Sequence, residues 1–264
     1  MSDDTIDRGS IKARFIAERG YWRPWTDTLL RHNPRFLERY ASYAGHPARV
    51  GPLSAKQVEL VYVALDASST HLFASGLKTH LEKALAAGAT PREILDVLHL
   101  VAAQGLDSVY QATGILAEER DRVAAEGCAG AGQDVAFSGA APSPGPELVA
   151  RIRQLNLPVE PAALSLMHEL DPGYLPVLLD FLEHGRPEEG LADADRSLIE
   201  VALFACFTGH DPQALRQRIR AALEAGCPAA ALLQAIQLGA HLSVHGTALG
   251  ADAMAGLVAP AGSS

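Results

Sequence analysis

The chain has 264 residues, 48% of them hydrophobic and 20% charged, which excludes a mainly disordered protein because there is ample apolar surface to offset chain entropy. Its formal net charge of −9 and pI near 5.5 exclude the cationic footprint that a phosphate backbone demands. Aromatic residues are 6% of the chain, too few for a platform that stacks bases, so no nucleic-acid partner is expected.

Asp3, Asp4, Asp7 and Arg8 come early, and no apolar stretch follows a basic start, so no signal peptide is expected. Residues 6–45 read as helices broken at Gly20, Pro24 and Pro34. Ser54 to Gln57 spells a capping box, S-x-x-Q, that opens a helix through about Asp66. Val58, Val61 and Leu65 keep helical spacing along it. A second helix is expected from Ser75 to Ala87, stopped by Gly88. Thr90-Pro91-Arg92-Glu93 then combines a capping Thr, Pro at the first helical position and Glu at the third. Residues 124–146, mostly Ala, Gly, Ser and Pro, read as a linker. The same start and stop signals return at Asp193, Gly226 and Pro228. Residues 225–251 carry no Asp, Glu, Lys or Arg, but Pro228, Gln234, Gln237, His241 and His245 interrupt them. A buried core helix is expected there rather than a membrane span. Strand signals are nearly absent, and the fold class is all-α.

The organisation beneath this is a repeat. Displaced by 138 residues, the chain aligns with itself from Leu29 to Ala112 without a gap. Pro34, His46, Thr70 and Gly88 fall on Pro172, His184, Thr208 and Gly226. The period is too long for a solenoid and points to a duplicated domain, with one repeat at 1–123, the linker, and a second repeat at 147–264. His46 and His184 are expected to cap helix C-termini.

Cys128, Cys206 and Cys227 are widely spaced and form no CxxC, so neither a disulfide framework nor a structural zinc site is expected, and a reducing cytoplasm fits. The segment Leu53 to Gly105 resembles the carboxymuconolactone decarboxylase family, which shares a fold with alkylhydroperoxidase D. Glu59-Leu60, His80, the run from Ala84 to Thr90, and Glu93-Ile94 carry the likeness. The second half resembles the family more weakly. In the alkylhydroperoxidase branch a Glu, a CxxC and a His form a proton relay to a redox dithiol. Glu59 and His80 match the Glu and the His, but Phe73 and Gly76 stand at the Cys positions. Peroxidase chemistry needs a low-pKa thiolate and a resolving thiol, so it is disfavoured. The resemblance also implies rings of paired units, hence a homotrimer of this double-length chain.

Glu59, Tyr62 and Asp66 share one helical stripe, with Thr70 and His71 at the following turn and His80 one helix on. A carboxylate near a histidine fixes its tautomer and raises its basicity. His80, Glu59 and His71 are the catalytic candidates; Tyr62, Asp66, Thr70 and His245 are the substrate-binding candidates. The corresponding second-half positions are Ser197, Glu200, Phe204, Thr208, Gly209 and Arg218, so that half keeps the scaffold without the chemistry. Arg218 is read as a salt-bridge residue. His241 and His245 have the i, i+4 spacing of HxxxH sites, but no acid lies nearby in sequence, so no metal and no cofactor are expected. The expected function is a cofactor-free lyase or decarboxylase acting on a small oxo acid or lactone acid, with one site per chain built by the first repeat and partly closed by the second. The alternatives are a redox protein of the alkylhydroperoxidase type and a non-catalytic binding or scaffold protein.

Overall fold

A computed structural model describes residues 6–127, 144–155 and 157–258. Cys128 and most of the expected linker lie outside the described residues. All regular structure among those described is helical. In chain order the helices are α1 (Arg8–Arg19), α2 (Pro24–His32), α3 (Pro34–Arg49), α4 (Ala55–Ala67), α5 (Ala74–Ala86), α6 (Pro91–Ala103) and α7 (Leu106–Ala125). They continue with α8 (Pro146–Gln154), α9 (Pro161–Leu170), α10 (Tyr174–His184), α11 (Asp193–Ala205), α12 (Pro212–Glu224) and α13 (Ala229–Gly239). A 3-10 turn (Ala240–Ser243) then leads into α14 (Val244–Ala255). No helix among the described residues is long and apolar enough to cross a membrane.

The local signals act as elementary chemistry requires. Ser54 caps α4 and Thr90 caps α6, each through a complete capping box that satisfies first-turn N–H groups. Gly20 ends α1 and Gly88 follows α5, both in the left-handed region that favours glycine. His46 and His184 sit within the last turns of α3 and α10 rather than beyond them. The chargeless stretch 225–251 is not one helix. Pro228 caps α13, and the 3-10 turn separates α13 from α14.

Helices α1, α4, α5, α6 and α7 begin 138 residues before α8, α11, α12, α13 and α14. Three cores hold them. The central one is built from α4, α5, α6, α11, α12 and α13, and contains the matched pairs Leu60 and Leu198, Val63 and Val201, Leu65 and Leu203. The other two are crosswise. Phe15, Trp25, Leu37 and Tyr40 of α1–α3 pack with Val244, Ala248 and Ala251 of α14. Tyr110 of α7 packs with Ala163, Met167, Leu175 and Leu179 of α9 and α10. The last helix of each half therefore covers the opening helices of the other. At the centre Gln57 Nε2 donates to Asp195 Oδ1 (2.7 Å), a contact between positions 138 apart. Buried Asp96 ties α6 to the second half through Arg196, Arg186 and the Leu191 N–H.

Candidate active site

The site forms where α4 and α5 meet the crosswise α14. Glu59, Tyr62 and Asp66 lie along α4, which is buried by the central core, so Tyr62 and Asp66 are 2% and 1% exposed. His80 is carried on α5, the helix most intimately packed with α4. Glu59 Oε2 lies 2.6 Å from His80 Nδ1, which fixes the proton on Nδ1 as donor and leaves the Nε2 lone pair free. Burial pushes the His80 pKa below the usual imidazole range, and Glu59 opposes that shift. The ring is therefore neutral near pH 7, as a general base must be. Tyr62 stacks at a tilt 4.5 Å from the His80 ring. Burial pushes the pKa of its hydroxyl up to about 12 against the opposing pull of the nearby Arg19, so it stays protonated and able to donate a hydrogen bond.

Asp66 is the most unusual group. Its Oδ2 has no hydrogen-bond partner, and burial raises its pKa to about 7. Three imidazole nitrogens approach it without bonding: His80 Nε2 at 4.0 Å, His71 Nε2 at 4.0 Å and His245 Nδ1 at 3.9 Å. His71 Nε2 and His245 Nδ1 are themselves 2.5 Å apart. Phe73 stacks on His245 at 3.7 Å. Gly76 makes room for all this: a Cβ there would lie 2.2 Å from Asp66 Oδ2 and 2.5 Å from the Phe73 ring.

The sequence-predicted residues thus divide. Glu59, Tyr62, Asp66, His71, His80 and His245 converge. Thr70 does not; it is exposed and pairs with Ser68. His241 and His245 do not act as an HxxxH pair. Arg19 Nη2 donates to His241 Nε2 (3.1 Å), so the ring's Nδ1–H donates to the Tyr40 hydroxyl (2.7 Å) and neither nitrogen is free. Phe73 stands at a Cys position of the resembled relay, but Arg19, Tyr40 and Arg23 had no signal that sequence reading could use, because nothing local says which distant helix faces α4. Tyr21, Arg23, Trp25, Phe73, Thr79 and Val244 line the pocket around His80, a cavity of about 30 Å³ with room for about two waters. No cysteine among the described residues lines it.

At the equivalent place in the second half, the Arg218 guanidinium stacks 3.6 Å over Phe204 and pairs with Asp107 at 3.1 Å. It is a salt-bridge residue, as its isolation in the sequence implied.

Comparisons with known proteins agree with this architecture. No functionally curated protein matches the chain. A crystal structure from Burkholderia xenovorans LB400, provisionally named a gamma-carboxymuconolactone decarboxylase subunit, superposes with a TM-score of 0.80. It is 26% identical, and the alignment covers 96% of this chain and 97% of that one. The model of the carboxymuconolactone decarboxylase family matches residues 34–118, the stretch that carries α3 to α6, Glu59 and His80. Through that segment the chain is similar to the carboxymuconolactone decarboxylase family.

Proposed function

We propose that the protein is a lyase that decarboxylates a small oxo acid or lactone acid by acid–base chemistry centred on His80. The observation that carries this reading is the 2.6 Å Glu59–His80 bond, with the Tyr62 ring packed against His80 and His80 itself lining a small pocket. The substrate enters as its carboxylate, and His80 Nε2 takes up a proton from solvent water as negative charge develops beside it. The bond from carbon to that carboxylate breaks, CO₂ leaves, and the electron pair moves into the adjacent carbonyl as an enolate. Tyr62 donates to the enolate oxygen, and the imidazolium, balanced by Glu59, returns the proton to carbon. His71, engaged with His245, is less available for the oxyanion role than Tyr62. Arg23 guards the entrance, where its Nη2 donates to Thr79 Oγ1 (2.5 Å) and to the Ser75 carbonyl (3.3 Å). A substrate carboxylate exchanges for these partners on entry, which enlarges the small cavity.

The reading includes a tandem duplication, with repeats at 1–123 and 147–264, supported by the common 138-residue offset of the helices. It also includes a homotrimer in the cytoplasm, which light scattering checks: a strict monomer at micromolar concentration would count against the trimer.

The test of the chemistry is a panel of β-oxo acids and unsaturated lactone carboxylates followed by CO₂ release. At least one should turn over. His80→Ala should then lose about 10²–10⁴ in rate with the fold intact, while Arg218→Ala loses little. No turnover on any member, or full activity in His80→Ala, refutes the assignment.

A further inference from the structure

The arrangement around Asp66 is not explained by acid–base chemistry at His80. A buried carboxylate is ordinarily hydrogen-bonded or paired with a cation, because leaving it alone costs several kcal/mol. Asp66 is 1% exposed; its Oδ2 has no hydrogen bond and lies 4.0 Å from His80 Nε2, while His71 Nε2 and His245 Nδ1 lie 4.0 and 3.9 Å from its Oδ1. Each separation is too long for a hydrogen bond.

Asp66 Oδ1, His71 Nε2 and His245 Nδ1 make a triangle with sides of 4.0, 3.9 and 2.5 Å. The point equidistant from its corners lies about 2.1 Å from each, the length of Zn–N and Zn–O bonds. Tetrahedral donors at that bond length stand about 3.4 Å apart, so a small spreading of the two rings, under about 1 Å, completes the set. Both rings are largely buried, with side chains 12% and 10% exposed, and each turns one nitrogen towards the other and towards Asp66. Phe73 stacked on His245 fixes that ring, and the missing Cβ at Gly76 keeps the carboxylate in place. The donors come from the two halves of the chain, since α14 is the helix that crosses over.

We propose that Asp66, His71 and His245 form a site for one first-row divalent cation of the Zn²⁺ class, with its remaining coordination positions facing the pocket beside His80. Two imidazoles and one carboxylate match that class in donor type and number. Three protein ligands leave room for a small anionic or carbonyl oxygen, as in sites open to substrate rather than closed structural ones. The proposal stands independently of the decarboxylase reading, and its test needs no turnover.

Protein stripped with a chelator is titrated with Zn²⁺ by calorimetry, and with Co²⁺ as a spectroscopic probe. The expected result is one ion per chain, with the visible absorption of four- or five-coordinate Co²⁺. Asp66→Asn, His71→Ala and His245→Ala should each weaken binding by at least about 100-fold. His184→Ala, whose side chain is 70% exposed and remote in the fold, should bind as the wild type does. Saturating Zn²⁺ should raise the unfolding temperature of the wild type and of His184→Ala but not of the other three. If His71→Ala does not fold, His71→Gln replaces it. No Zn²⁺ binding at micromolar protein, or a stoichiometric ion retained in the folded Asp66 and His245 variants, overturns the site and leaves the His80 chemistry untouched.

Discussion

Replacing glycine by alanine inside a helix normally stabilises it by about 0.5–1 kcal/mol, because glycine loses more backbone freedom on folding. Gly76 in α5 and Gly114 in α7 should respond in opposite directions. A Cβ at Gly114 meets nothing within 4 Å, so Gly114→Ala should gain roughly that amount. A Cβ at Gly76 would lie 2.2 Å from Asp66 Oδ2 and 2.5 Å from Phe73 Cδ1. Neither neighbour yields cheaply: Asp66 is 1% exposed on a helix in the central core, and Phe73 is stacked on His245. Overpacking of this kind costs about 1–3 kcal/mol, and contacts so close belong at the upper end. Set against the propensity gain, Gly76→Ala should be destabilised by about 2 kcal/mol. The assay is urea unfolding of both variants and the wild type, followed by circular dichroism, with midpoints compared at constant slope. For a chain of this size the thermal midpoint should fall by about 4–8 °C in Gly76→Ala. If Gly76→Ala is as stable as Gly114→Ala, the packing of Asp66 against α5 is wrong, and the close-fitting site described around it fails with it.

Asp96→Ala should cost about 3–5 kcal/mol, because it leaves Arg196, 14% exposed in its side chain, buried without its partner and strips the Leu191 N–H of its acceptor; a loss under 1 kcal/mol in chemical denaturation would refute this. Burial holds the Asp107 carboxyl at about 6, against the opposing pull of Arg218. The native state therefore binds this proton more tightly than the unfolded chain, so Asp107's contribution to stability is greatest below pH 4 and declines as pH rises towards 6. Carbon NMR of the Asp107 carboxyl should show a midpoint near 6, and a midpoint at or below 4 would exclude the burial argument. Gln234→Ala should lose about 2 kcal/mol or more, since this 3% exposed side chain donates to the Pro47 carbonyl (2.7 Å) and accepts from the Leu53 N–H (2.9 Å); an unchanged denaturation midpoint would contradict it.

The helices are legible in the chain alone, because their ends are set by neighbours a few residues away. Ser54 with Gln57, Thr90 with Glu93, and the left-handed glycines at 20 and 88 act over a few residues, and they are where they were expected. The chain alone also shows that Glu59, Tyr62 and Asp66 share a face, because 3.6 residues per turn fixes that without any partner. That His80 would be involved came from its family resemblance, and the Glu59–His80 contact bears out that the two meet. Whatever reaches the site from the far end of the chain depends on how the helices pack. The spacing of His241 and His245 suggested a pair, yet their helical register is interrupted by the 3-10 turn, and Arg19 and Tyr40 take up His241. His245 instead meets His71, 174 positions away, because α14 crosses to cover α1–α3. Apolar periodicity says that a helix has a face to bury and not which helix will cover it. That choice rests on the summed shape of three cores, and no local signal in the chain encodes it.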